Sequence, residues 1–285
     1  MPYTKKHYFI IINYNSGDYI IDCIDSIMQS QNIRPYIIVV DNASRDNSLE
    51  SCKLQFPNLT YIYNSHNIGF AAGANIGARL ALEKGASTVT FCNPDAVLEK
   101  TCANLLISTI TSRNIDILSP VIYKENTDDI WFSGGHISFS KMKTTHTNPL
   151  PTTDLITDID YITGCVMTVS ADVFNKIGLF DENFFLYYED ADFSLRAKKA
   201  NLKLGVLPQA HAYHTEISEQ NKDQKTYFLV LSGLIFFNKH TSGFKKLWFK
   251  VHTTLRKIKN YFDCKKNKPL AHSVRKAYQD YASKK

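Results

Sequence analysis

The sequence predicts an α/β fold, with a mainly parallel sheet flanked by helices and a C-terminal amphipathic helical extension. Strand-like and helix-like segments alternate strictly over about the first 120 residues, which is typical of a parallel sheet covered on both faces. Polar residues follow directly after several strands, and basic residues are concentrated near the end of the chain. These observations predict both the fold class and the edge of the sheet where a ligand binds.

Five short apolar runs predict the strands of the alternating part. They are Tyr8–Asn13, Tyr36–Val40, Leu59–Tyr63, Ser87–Cys92 and Asp116–Pro120. The segments between them have helical patterns. We expect helices after Asp18, from Asp46, from about Asn75 to Lys84, and over Leu98–Ser112.

Four polar residues come directly after predicted strands. They are Asn13, Asp41, Asn67 and Asp95. Because the carboxyl ends of parallel strands meet at one edge of a sheet, we expect these side chains to converge there. Ligands bind at this edge in folds of this class, so the convergence predicts a binding site.

The pattern weakens over Ile130–Asp160, where glycines, prolines such as Pro149 and Pro151, and threonines predict loops and short strands. Regular order then returns. We expect a strand at Tyr161–Ser170, a helix at Ala171–Gly178, a helix from Asp192 to about Asn201, and short strands at Lys203–Leu207 and Ala210–His214. Beyond Gln224 the spacing predicts amphipathic helices.

Length and composition set the class of protein. The 285 residues are 44% hydrophobic, which suits one large domain or one domain with an appendage. The six cysteines include no C-x-x-C pair, so we expect buried, reduced thiols in a cytoplasmic protein. No signal-peptide pattern is seen, and the longest apolar run, Tyr227–Phe237, is far shorter than the roughly 20 residues of a spanning helix.

The net charge of +6 is unevenly distributed. From Lys239 to Lys285 there are 14 Lys and Arg against 2 Asp and Glu, so this segment carries +12 and the remaining 238 residues carry −6. A mildly acidic body with a basic tail indicates an anionic partner for the tail. No nucleic-acid recognition module accompanies the tail, so we do not expect nucleic acid to be that partner.

Two acidic patterns are candidates for chemistry. In Asn93-Pro94-Asp95 a carboxylate follows a buried strand, where an oxygen ligand could bind Mg²⁺ or Mn²⁺; an ordinary Asx-Pro turn is the alternative. Glu189, Asp190 and Asp192 lie among aromatic residues at a predicted helix start. Such surroundings raise the proton affinity of a carboxylate and suit a general base, whereas helix capping is the alternative.

Two further patterns have a structural alternative. His211 and His214 lie on one predicted strand and could complete a metal site, although a lone histidine is more often structural. Gly69, Gly73 and Gly77 lie four residues apart on one helix face, where a backbone can approach a ligand or another backbone. Helix packing is the alternative, and the usual glycine-rich nucleotide motifs are absent.

Eight short stretches occur in a fixed order between about residues 7 and 240. They are Ile11–Asn15, Val39–Ser44, Asn67–Asn75, Asn93–Ala96, Gly164–Met167, Phe180–Phe185, Glu189–Asp192 with Leu195–Ala197, and His214–Ser218. In this order they resemble the family 2 glycosyltransferases of the GT-A fold, a Rossmann-like mixed, mainly parallel sheet. The resemblance is strongest to the rhamnosyltransferase-like branch of O-antigen, lipopolysaccharide and cell-wall polysaccharide enzymes.

The resemblance implies a nucleotide-sugar site. Asp41 would pair with the pyrimidine base. The residues that would line the nucleotide-sugar cleft are Asn13, Asn15, Asp41, Asn67, Gly69, Asn75, Asn93 and Asp95. Asp95 fills the metal-ligating position of the family's D-x-D motif, and His214 matches a late histidine that completes the site for Mn²⁺ or Mg²⁺. Asn93 departs from the motif, because many relatives have Asp there, and one negative charge is lost.

The resemblance also implies a reaction. Asp190 matches the catalytic base, with Glu189 beside it, and we place Trp131, Gly164 and Asp192 on the acceptor side. One base and no second nucleophile predict a single displacement with inversion. The donor would be dTDP-rhamnose or a UDP-hexose, and the acceptor a saccharide or a lipid-linked glycan. The alternatives are an inactive glycosyltransferase-like binding subunit and another nucleotide-using α/β enzyme.

The tail carries an apolar stripe at helical spacing. Its members are Phe244, Leu247, Trp248, Val251, Leu255, Ile258, Tyr261 and Phe262, with lysines and arginines filling much of the remaining surface. This pattern is typical of a helix in a membrane interface, so we expect a protein at the inner face of the cell membrane. The alternative is packing on the catalytic domain or on a second copy in a homodimer. The expected boundaries are 1–223 for the catalytic domain, with its nucleotide-binding half at about 1–120 and its acceptor-binding half at about 121–223, and 224–285 for the tail.

Overall fold

A computed structural model describes residues 5–147, 154–215 and 221–283. Pro149, Pro151 and the motif residues Glu216, Ile217 and Ser218 lie outside the described residues. The strands are β1 (Lys6–Asn13), β2 (Pro35–Asp41), β3 (Thr60–Tyr63), β4 (Ala86–Cys92), β5 (Ala96–Leu98), β6 (Ile117–Lys124), β7 (Ile130–Phe132), β8 (Gly135–Ser138), β9 (Lys143–His146), β10 (Val166–Ser170) and β11 (Leu204–His214).

Nine of these strands form one mixed sheet in the order β3-β2-β1-β4-β10-β6-β11-β5, with β7 on β6. Strands β3, β2, β1 and β4 are parallel, as are β6 and β11, whereas β10 runs antiparallel between β4 and β6. Strands β8 and β9 form a separate two-stranded sheet. The predicted α/β fold with a mainly parallel sheet is confirmed.

Nine helices of the described residues flank and extend the sheet. They are α1 (Tyr19–Met28), α2 (Ser48–Gln55), α3 (Phe70–Glu83), α4 (Cys102–Arg113), α5 (Ala171–Ile177), α6 (Glu189–Lys199), α7 (Lys222–His240), α8 (Gly243–Lys265) and α9 (Ala271–Ser283). The predicted helical C-terminal extension is therefore present as α7, α8 and α9.

The sheet is buried on both faces because its central strands are apolar on both faces. Ile10 and Ile11 of β1 are neighbours on opposite faces, and both are fully buried. Helix α3 packs closely on β1 at Gly77, where an added Cβ would lie 2.5 Å from the side chain of Ile10. For Gly77 the helix-packing interpretation is therefore correct. All six cysteines are buried and free of disulfides.

Three predicted elements differ from the structure. The strand expected at Tyr161–Ser170 begins only at Val166. The two strands expected at Lys203–Leu207 and Ala210–His214 are one strand, β11, whose pairing with β6 is interrupted between Leu207 and His211. Pro208 lies in the interruption, and because proline has no N–H it cannot donate a ladder hydrogen bond there. The proline also breaks the strand pattern in the sequence, which is why two strands were predicted.

The helix expected at Leu98–Ser112 was also wrong at its start. Residues Ala96–Leu98 form the short strand β5 on β11, and α4 begins at Cys102. The pairing matters for the site because it sets Ala96 of β5 opposite His214 of β11. Asp95 is the residue before this strand, so β5 fixes it beside the end of β11.

The C-terminal helices differ in how much of their surface they bury. Helix α7 contributes Leu231, Leu234, Phe236 and Phe237 to the core. Helix α8 buries a narrow face that includes Phe249 and leaves the opposite face open. Among the described residues, no helix is both long and apolar enough to cross a bilayer.

Candidate functional site

Two adjoining cavities lie at the carboxyl ends of the central strands. The first, here called the strand-end cavity, has a volume of about 390 Å³ and follows β1, β2 and β4. The second, the α6 cavity, has a volume of about 290 Å³ and lies over the first turn of α6. The residues that line both are Phe70, Asn93, Asp95, Leu186, Tyr187 and Lys225. The two cavities therefore form one continuous cleft.

The polar side chains of the described residues that line the strand-end cavity are neutral except for Asp95 and Lys225. Of the predicted nucleotide-sugar residues, it brings together Asn15, Asn67, Gly69, Asn93 and Asp95. Their local hydrogen bonds hold the loops in place. Asn15 adopts a left-handed conformation, with φ of 53°, and its side-chain oxygen accepts a hydrogen bond of 2.7 Å from the backbone of Arg45. The oxygen of Asn67 accepts one of 2.9 Å from the amide of Gly69.

Glycine is needed at position 69 for two reasons, the backbone conformation and the close contact with the opposite loop. The φ of Gly69 is 87°, which favours glycine, and an added Cβ would lie 2.4 Å from the carbonyl oxygen of Phe185. That carbonyl accepts a hydrogen bond of 2.8 Å from the amide of Phe70, the first residue of α3. Gly69 thus lets the start of α3 approach the loop that precedes α6, which closes the cleft on this side.

Three predicted nucleotide residues do not line the cleft. Asn13 donates to Asp41 over 2.8 Å, and Asp41 also accepts from the amide of Ser44 over 3.1 Å, so both side chains brace the loops after β1 and β2. Asn75 is buried in α3, where it donates to the carbonyl of Phe180 and accepts from its amide. These three side chains therefore lie behind the cavity wall, where they hold neighbouring segments in position.

Asp95 and His214 meet at the boundary of the two cavities, as the sequence predicted. Nε2 of His214 lies 3.2 Å from Oδ1 of Asp95, and both side chains are largely buried. Pairing of β5 with β11 creates this contact. Among the described residues, Nδ1 of His214 is buried without a hydrogen-bond partner. The Trp131 ring packs edge-on against the imidazole, with ring centroids 4.5 Å apart.

The donor set fits a divalent cation only when a ligand supplies further oxygens. No group of three or more His, Cys, Asp or Glu side chains among the described residues is arranged to hold a metal. Asp95 and His214 offer one carboxylate and one imidazole, which suit Mn²⁺ better than an all-oxygen Mg²⁺ site. Asn93 lines the same wall and adds an amide where a carboxylate would add charge.

His211, the second histidine of the predicted pair, lies away from both cavities. Its Nδ1 is 3.3 Å from a carboxylate oxygen of Glu99, and its Nε2 is 2.9 Å from the carbonyl of Pro208. His211 and His214 are three positions apart on one unbroken part of β11, so their side chains lie on opposite faces of the sheet. The structural interpretation of His211 is therefore correct.

Two carboxyl groups line the α6 cavity at the first turn of α6. Oδ2 of Asp190 accepts a hydrogen bond of 3.0 Å from the amide of Gly164, and Oδ1 accepts one of 2.7 Å from the amide of Ala191. Gly164 lies on the loop that leads into β10, so this bond ties the carboxylate to the sheet. Glu189 is more deeply buried, and its Oε2 has no hydrogen-bond partner among the described residues.

Burial shifts both carboxyl groups toward the protonated form. Desolvation raises the pKa of Asp190, although the amides of Gly164 and Ala191 oppose that rise by stabilising the charge. Desolvation and the neighbouring Asp190 raise the pKa of Glu189 well above its usual range. The more exposed Asp190 therefore has the hydrogen-bonded carboxylate, whereas burial favours the protonated form of Glu189 more strongly.

An unusual backbone sets the direction of these two side chains. Tyr187 and Tyr188 both adopt the left-handed conformation, with φ of 65° and 68°, directly before α6 begins. Each such residue costs roughly 1–2 kcal/mol for a non-glycine side chain. Helix α7 compensates, because Ser232 donates to the carbonyl of Leu186 over 2.7 Å and the Tyr188 ring packs on Phe236 and Phe237.

Aromatic side chains form the far wall of the α6 cavity. Trp131 of β7, His146 of β9 and Tyr161 line it, and the rings of Trp131 and His146 are 4.6 Å apart. Gly135 makes room for this wall, since an added Cβ would lie 2.2 Å from the Tyr161 ring. Trp131 and Gly164 thus lie in the cavity that the sequence assigned to the acceptor. Planar rings are suited to pack against the apolar faces of a sugar.

The prediction that Asp192 lies on the acceptor side is wrong, because its side chain does not line the α6 cavity. Its fully buried carboxylate accepts from His240 over 2.7 Å and Arg196 over 2.8 Å and contacts Lys239 at 2.6 Å, so it fastens α6 to the end of α7. Burial alone would raise the pKa of Asp192, but these hydrogen bonds lower it to about 2. An acidic residue two positions from Asp190 points to the opposite side of the helix.

Several lining residues were not predicted. Asn42, Phe70, Thr144, His146, Tyr161 and Lys225 all line the cleft. Asn42 and Phe70 lie inside two of the stretches that resemble the family, so the neighbouring residues could have identified them as lining residues. Lys225 is in the first turn of α7, and it is the only lysine or arginine among the described residues that line either cavity. A charged residue at the start of an apolar helix gives no sign that the helix folds back over a cleft.

The family model described as "Glycosyl transferase family 2" matches residues 8–177, which include the ends of β1, β2 and β4 and the loop of Gly164. This chain belongs to glycosyl transferase family 2. The match covers more than half of the chain, and it confirms the family expected from the ordered motifs.

Curated relatives extend the match beyond that segment. The chain is 27% identical over 248 residues to the low-salt glycan biosynthesis hexosyltransferase Agl10 of Haloferax volcanii, covering 83% of this chain and 76% of that protein. It is 24% identical to the dTDP-rhamnosyl transferase RfbF of Shigella flexneri, over 73% of this chain and 68% of that protein. It is also 24% identical to the rhamnosyltransferase WbbL of Escherichia coli K12, over 73% and 82% of the two chains.

Solved structures share the fold at low sequence identity. Residues 1–349 of S. aureus TarS align with a TM-score of 0.58 and 16% identity over 87% of this chain and 71% of that chain. GalNAc-T7, solved with UDP, GalNAc and Mn²⁺, aligns with a TM-score of 0.63 and 16% identity over 95% of this chain and 59% of that chain. The GT-A fold expected from the sequence is thus confirmed.

Proposed function

We propose that this glycosyltransferase moves a hexose or a rhamnose from a nucleotide diphosphate to a saccharide or lipid-linked acceptor, with inversion, in the synthesis of a bacterial surface polysaccharide. The observation that carries the proposal is the placement of Asp190. Its carboxylate lies in the α6 cavity, fixed by the Gly164 amide, and that cavity opens into the strand-end cavity at Asp95. A base and a donor site therefore share one cleft.

In the proposed step, Asp190 accepts the proton of an acceptor hydroxyl while that oxygen attacks the anomeric carbon of the donor sugar. The bond from the anomeric carbon to the diphosphate oxygen breaks, and the nucleoside diphosphate leaves with the bonding electrons. Burial and the neighbouring Asp190 raise the pKa of Glu189, which disfavours a second charge beside the base. A single attack from the face opposite the leaving group inverts the anomeric configuration.

Asp95 and His214 are proposed to hold a divalent cation, Mn²⁺ or Mg²⁺, against the diphosphate of the donor. When bound, the cation would offset the charge that develops on the leaving group. The orphaned Nδ1 of His214 and the neighbouring carboxylate support this assignment. Because Asn93 replaces the second carboxylate of the motif, the protein supplies few of the metal ligands. The affinity for the cation then depends on the bound donor.

The donor-binding half is proposed to be residues of about 1–120, and the acceptor-binding half about 121–223. Asn15, Asn67, Gly69 and Asn93 would contact the donor directly, while Asn13, Asp41 and Asn75 would hold the loops that do so. The similarity to the dTDP-rhamnosyl transferase of Shigella flexneri favours dTDP-rhamnose as donor, with UDP-hexoses as the alternative.

The tail, residues 224–285, is proposed to dock on an anionic membrane at the inner face of the cell membrane. All eight residues of the apolar stripe on α8 are exposed, from 38% for Trp248 to 82% for Phe244, so the stripe is not covered by the rest of the described chain. Lysines and arginines border it on the same helix, and their charge favours a lipid surface over a second basic copy.

Contacts of α8 connect this surface to the acceptor side. The indole N–H of Trp248 donates to the carbonyl of Ser140 over 2.9 Å, at the turn between β8 and β9. Strand β9 in turn carries Thr144 and His146 into the α6 cavity. Docking of α8 would therefore bring the acceptor side, rather than the donor side, close to lipid-linked acceptors.

The deciding experiment incubates the full chain with a panel of dTDP- and UDP-sugars, with Mn²⁺ or with EDTA, and measures nucleoside diphosphate release and the anomeric configuration of the product by NMR. Inverted product that depends on Mn²⁺ supports the proposal. Retained configuration would overturn the mechanism, and full activity in EDTA would overturn the metal site. Absence of binding and hydrolysis for every donor would overturn the proposed function.

Docking has its own test in the full chain. Leu255→Asp with Ile258→Asp places two charges in the exposed stripe, and Lys222→Gln on α7 serves as a surface control. We expect the wild type and the control to co-sediment with anionic vesicles at low salt, and the double variant to stay in the supernatant. Equal sedimentation of all three, or a salt-resistant wild-type dimer that ignores vesicles, would assign the stripe to self-association.

A further inference from the structure

A third cavity of about 370 Å³ lies between α8 and α9, away from the catalytic cleft. One wall carries Arg256 and Lys259 of α8 together with Lys268 of the connecting turn. Asp263 is the only acidic residue among the described residues of its lining, and it is already paired with Lys268 over 2.8 Å. The described lining of the pocket therefore carries a net charge of +2, from Arg256, Lys259 and Lys268 against Asp263.

The opposite wall has a different chemistry. It is formed by the apolar side chains of Leu270 and Val274 and by the ring of Tyr278. The buried Asn260 lies at the base, where its amide donates to the carbonyl of Ala271 over 2.9 Å and fixes the start of α9 against α8. A concave site that is basic on one side and apolar on the other suits a ligand that is itself amphipathic.

The start of α9 adds to the positive character. Ala271, its first residue, lines the pocket, and the first turn contains no acidic side chain. The amino end of a helix carries a partial positive charge. This feature supplements the three cationic side chains, which already define the site without it.

We propose that this pocket binds the phosphate group of a lipid headgroup when α8 lies on a membrane. Arg256 and Lys259 border the exposed apolar stripe of the same helix, with Leu255 and Ile258 as their sequence neighbours. A headgroup phosphate at the membrane surface would thus reach the pocket while the stripe contacts the acyl region. The inference rests on the proposed membrane docking, and it adds a selective site to a surface that would otherwise bind by charge alone.

The test compares two vesicle types of equal surface charge, one containing phosphatidylglycerol and one containing a carboxylate amphiphile. The pocket variant is Arg256→Gln with Lys259→Gln. The matched control is Lys250→Gln with Lys266→Gln, which removes the same charge from the same part of the chain but does not line the pocket. We expect the wild type to bind the phosphate vesicles about tenfold more tightly than the carboxylate vesicles.

We expect the pocket variant to lose that preference, whereas the control weakens binding to both vesicles equally and keeps it. Equal affinity of the wild type for the two vesicles, or loss of the preference in both variants, would overturn the proposal while docking stands. Titration with inorganic phosphate, without vesicles, separates the sources. Tight phosphate binding that needs Arg256 and Lys259, without any vesicle preference, would assign the pocket to a soluble phosphate compound and overturn the lipid assignment.

Failure of the wild type to bind either vesicle would overturn the proposed docking and the lipid assignment together. Titration with phosphate still tests the pocket in that case, because phosphate binding does not depend on membrane docking. Binding that is lost in the pocket variant and kept in the control would show a phosphate site that serves a soluble ligand.

Discussion

The strand-end cavity and the α6 cavity share a wall, yet their linings differ in chemistry. Five asparagines contribute amides to the strand-end cavity, where Asp95 is the only carboxylate of the described lining. The α6 cavity adds Glu189 and Asp190 and a wall of aromatic rings. Neutral donors and acceptors suit the binding of a polar ligand, whereas buried carboxyl groups suit the movement of a proton. In the proposed reaction, donor binding and proton transfer thus belong to separate halves of one cleft.

Asp190→Asn is the change that tests this separation most strongly. Loss of a general base costs typically 10²–10⁴-fold, so we expect kcat to fall by about that factor while donor affinity stays near the wild-type value. The measurement is transfer rate together with calorimetric donor binding. Residual activity above about a tenth would contradict the role of Asp190.

The pH dependence of kcat tests the same separation of donor binding from proton transfer. Because burial raises the pKa of Asp190, the active carboxylate is present above that raised pKa, and activity is lost as pH falls through it. Donor binding in the strand-end cavity should not follow this titration. A kcat profile that stays flat from neutral pH to pH about 4, the usual pKa of a carboxyl group, would contradict the assignment.

Asp192→Asn tests the other side of the same helix. Breaking a buried ion pair costs about 3–5 kcal/mol, so we expect a large loss in the free energy of unfolding. The pKa of Asp192 is about 2 in the folded chain and about 3.8 unfolded, so its contribution is full above 3.8 and disappears as pH falls toward 2. Denaturant melts at several pH values measure this. An unchanged melt would mean that Asp192 does not fasten α6 to α7.

His214→Ala tests the boundary between the cavities. We expect Mn²⁺-dependent donor affinity to fall by about 10–100-fold, since even partners of metal ligands have effects of that size. His211→Ala is the matched control on the same strand, because His211 pairs with Glu99 outside the cleft. If both variants bind donor and Mn²⁺ equally well, His214 is not a ligand.

Asp41→Ala tests the strand-end cavity by itself. Asp41 holds the loops after β1 and β2 through its hydrogen bonds to Asn13 and to the amide of Ser44, so we expect its removal to lower UDP or dTDP affinity by about 1.5–3 kcal/mol. Ser48→Ala removes one neutral contact to Asn13 and serves as the control, with a smaller expected loss. Unchanged donor affinity in Asp41→Ala would contradict the role of these loops in donor binding.

The smallest effect is expected for Glu189→Gln. Glutamine resembles the protonated carboxyl that burial favours at this position, so we expect kcat to change by less than about threefold, an amount below 1 kcal/mol. A loss as large as that of Asp190→Asn would move the base to Glu189 and reverse the order proposed for the pair.

The sequence predicted the donor half better than the acceptor half, for a physical reason. Strand ends in a parallel sheet meet at one edge, so Asn67 and Asp95 could be placed from the alternation alone. Tyr161 and Lys225 could not, because their positions depend on how a short hairpin and a late helix fold over the sheet. Spacing also failed to separate Asp190 from Asp192, since only the packing of α7 decides which carboxylate faces the cleft.

The separate sheet of β8 and β9 has a consequence for how this enzyme can diversify. Its strands share no ladder hydrogen bonds with the nine-stranded sheet, although β9 delivers Thr144 and His146 to the α6 cavity. The hairpin can therefore lengthen, shorten or exchange its side chains over generations without disturbing the pairing that positions Asp95 and His214. Under the proposed function, acceptor preference is thus free to evolve on an unchanged donor and catalytic framework.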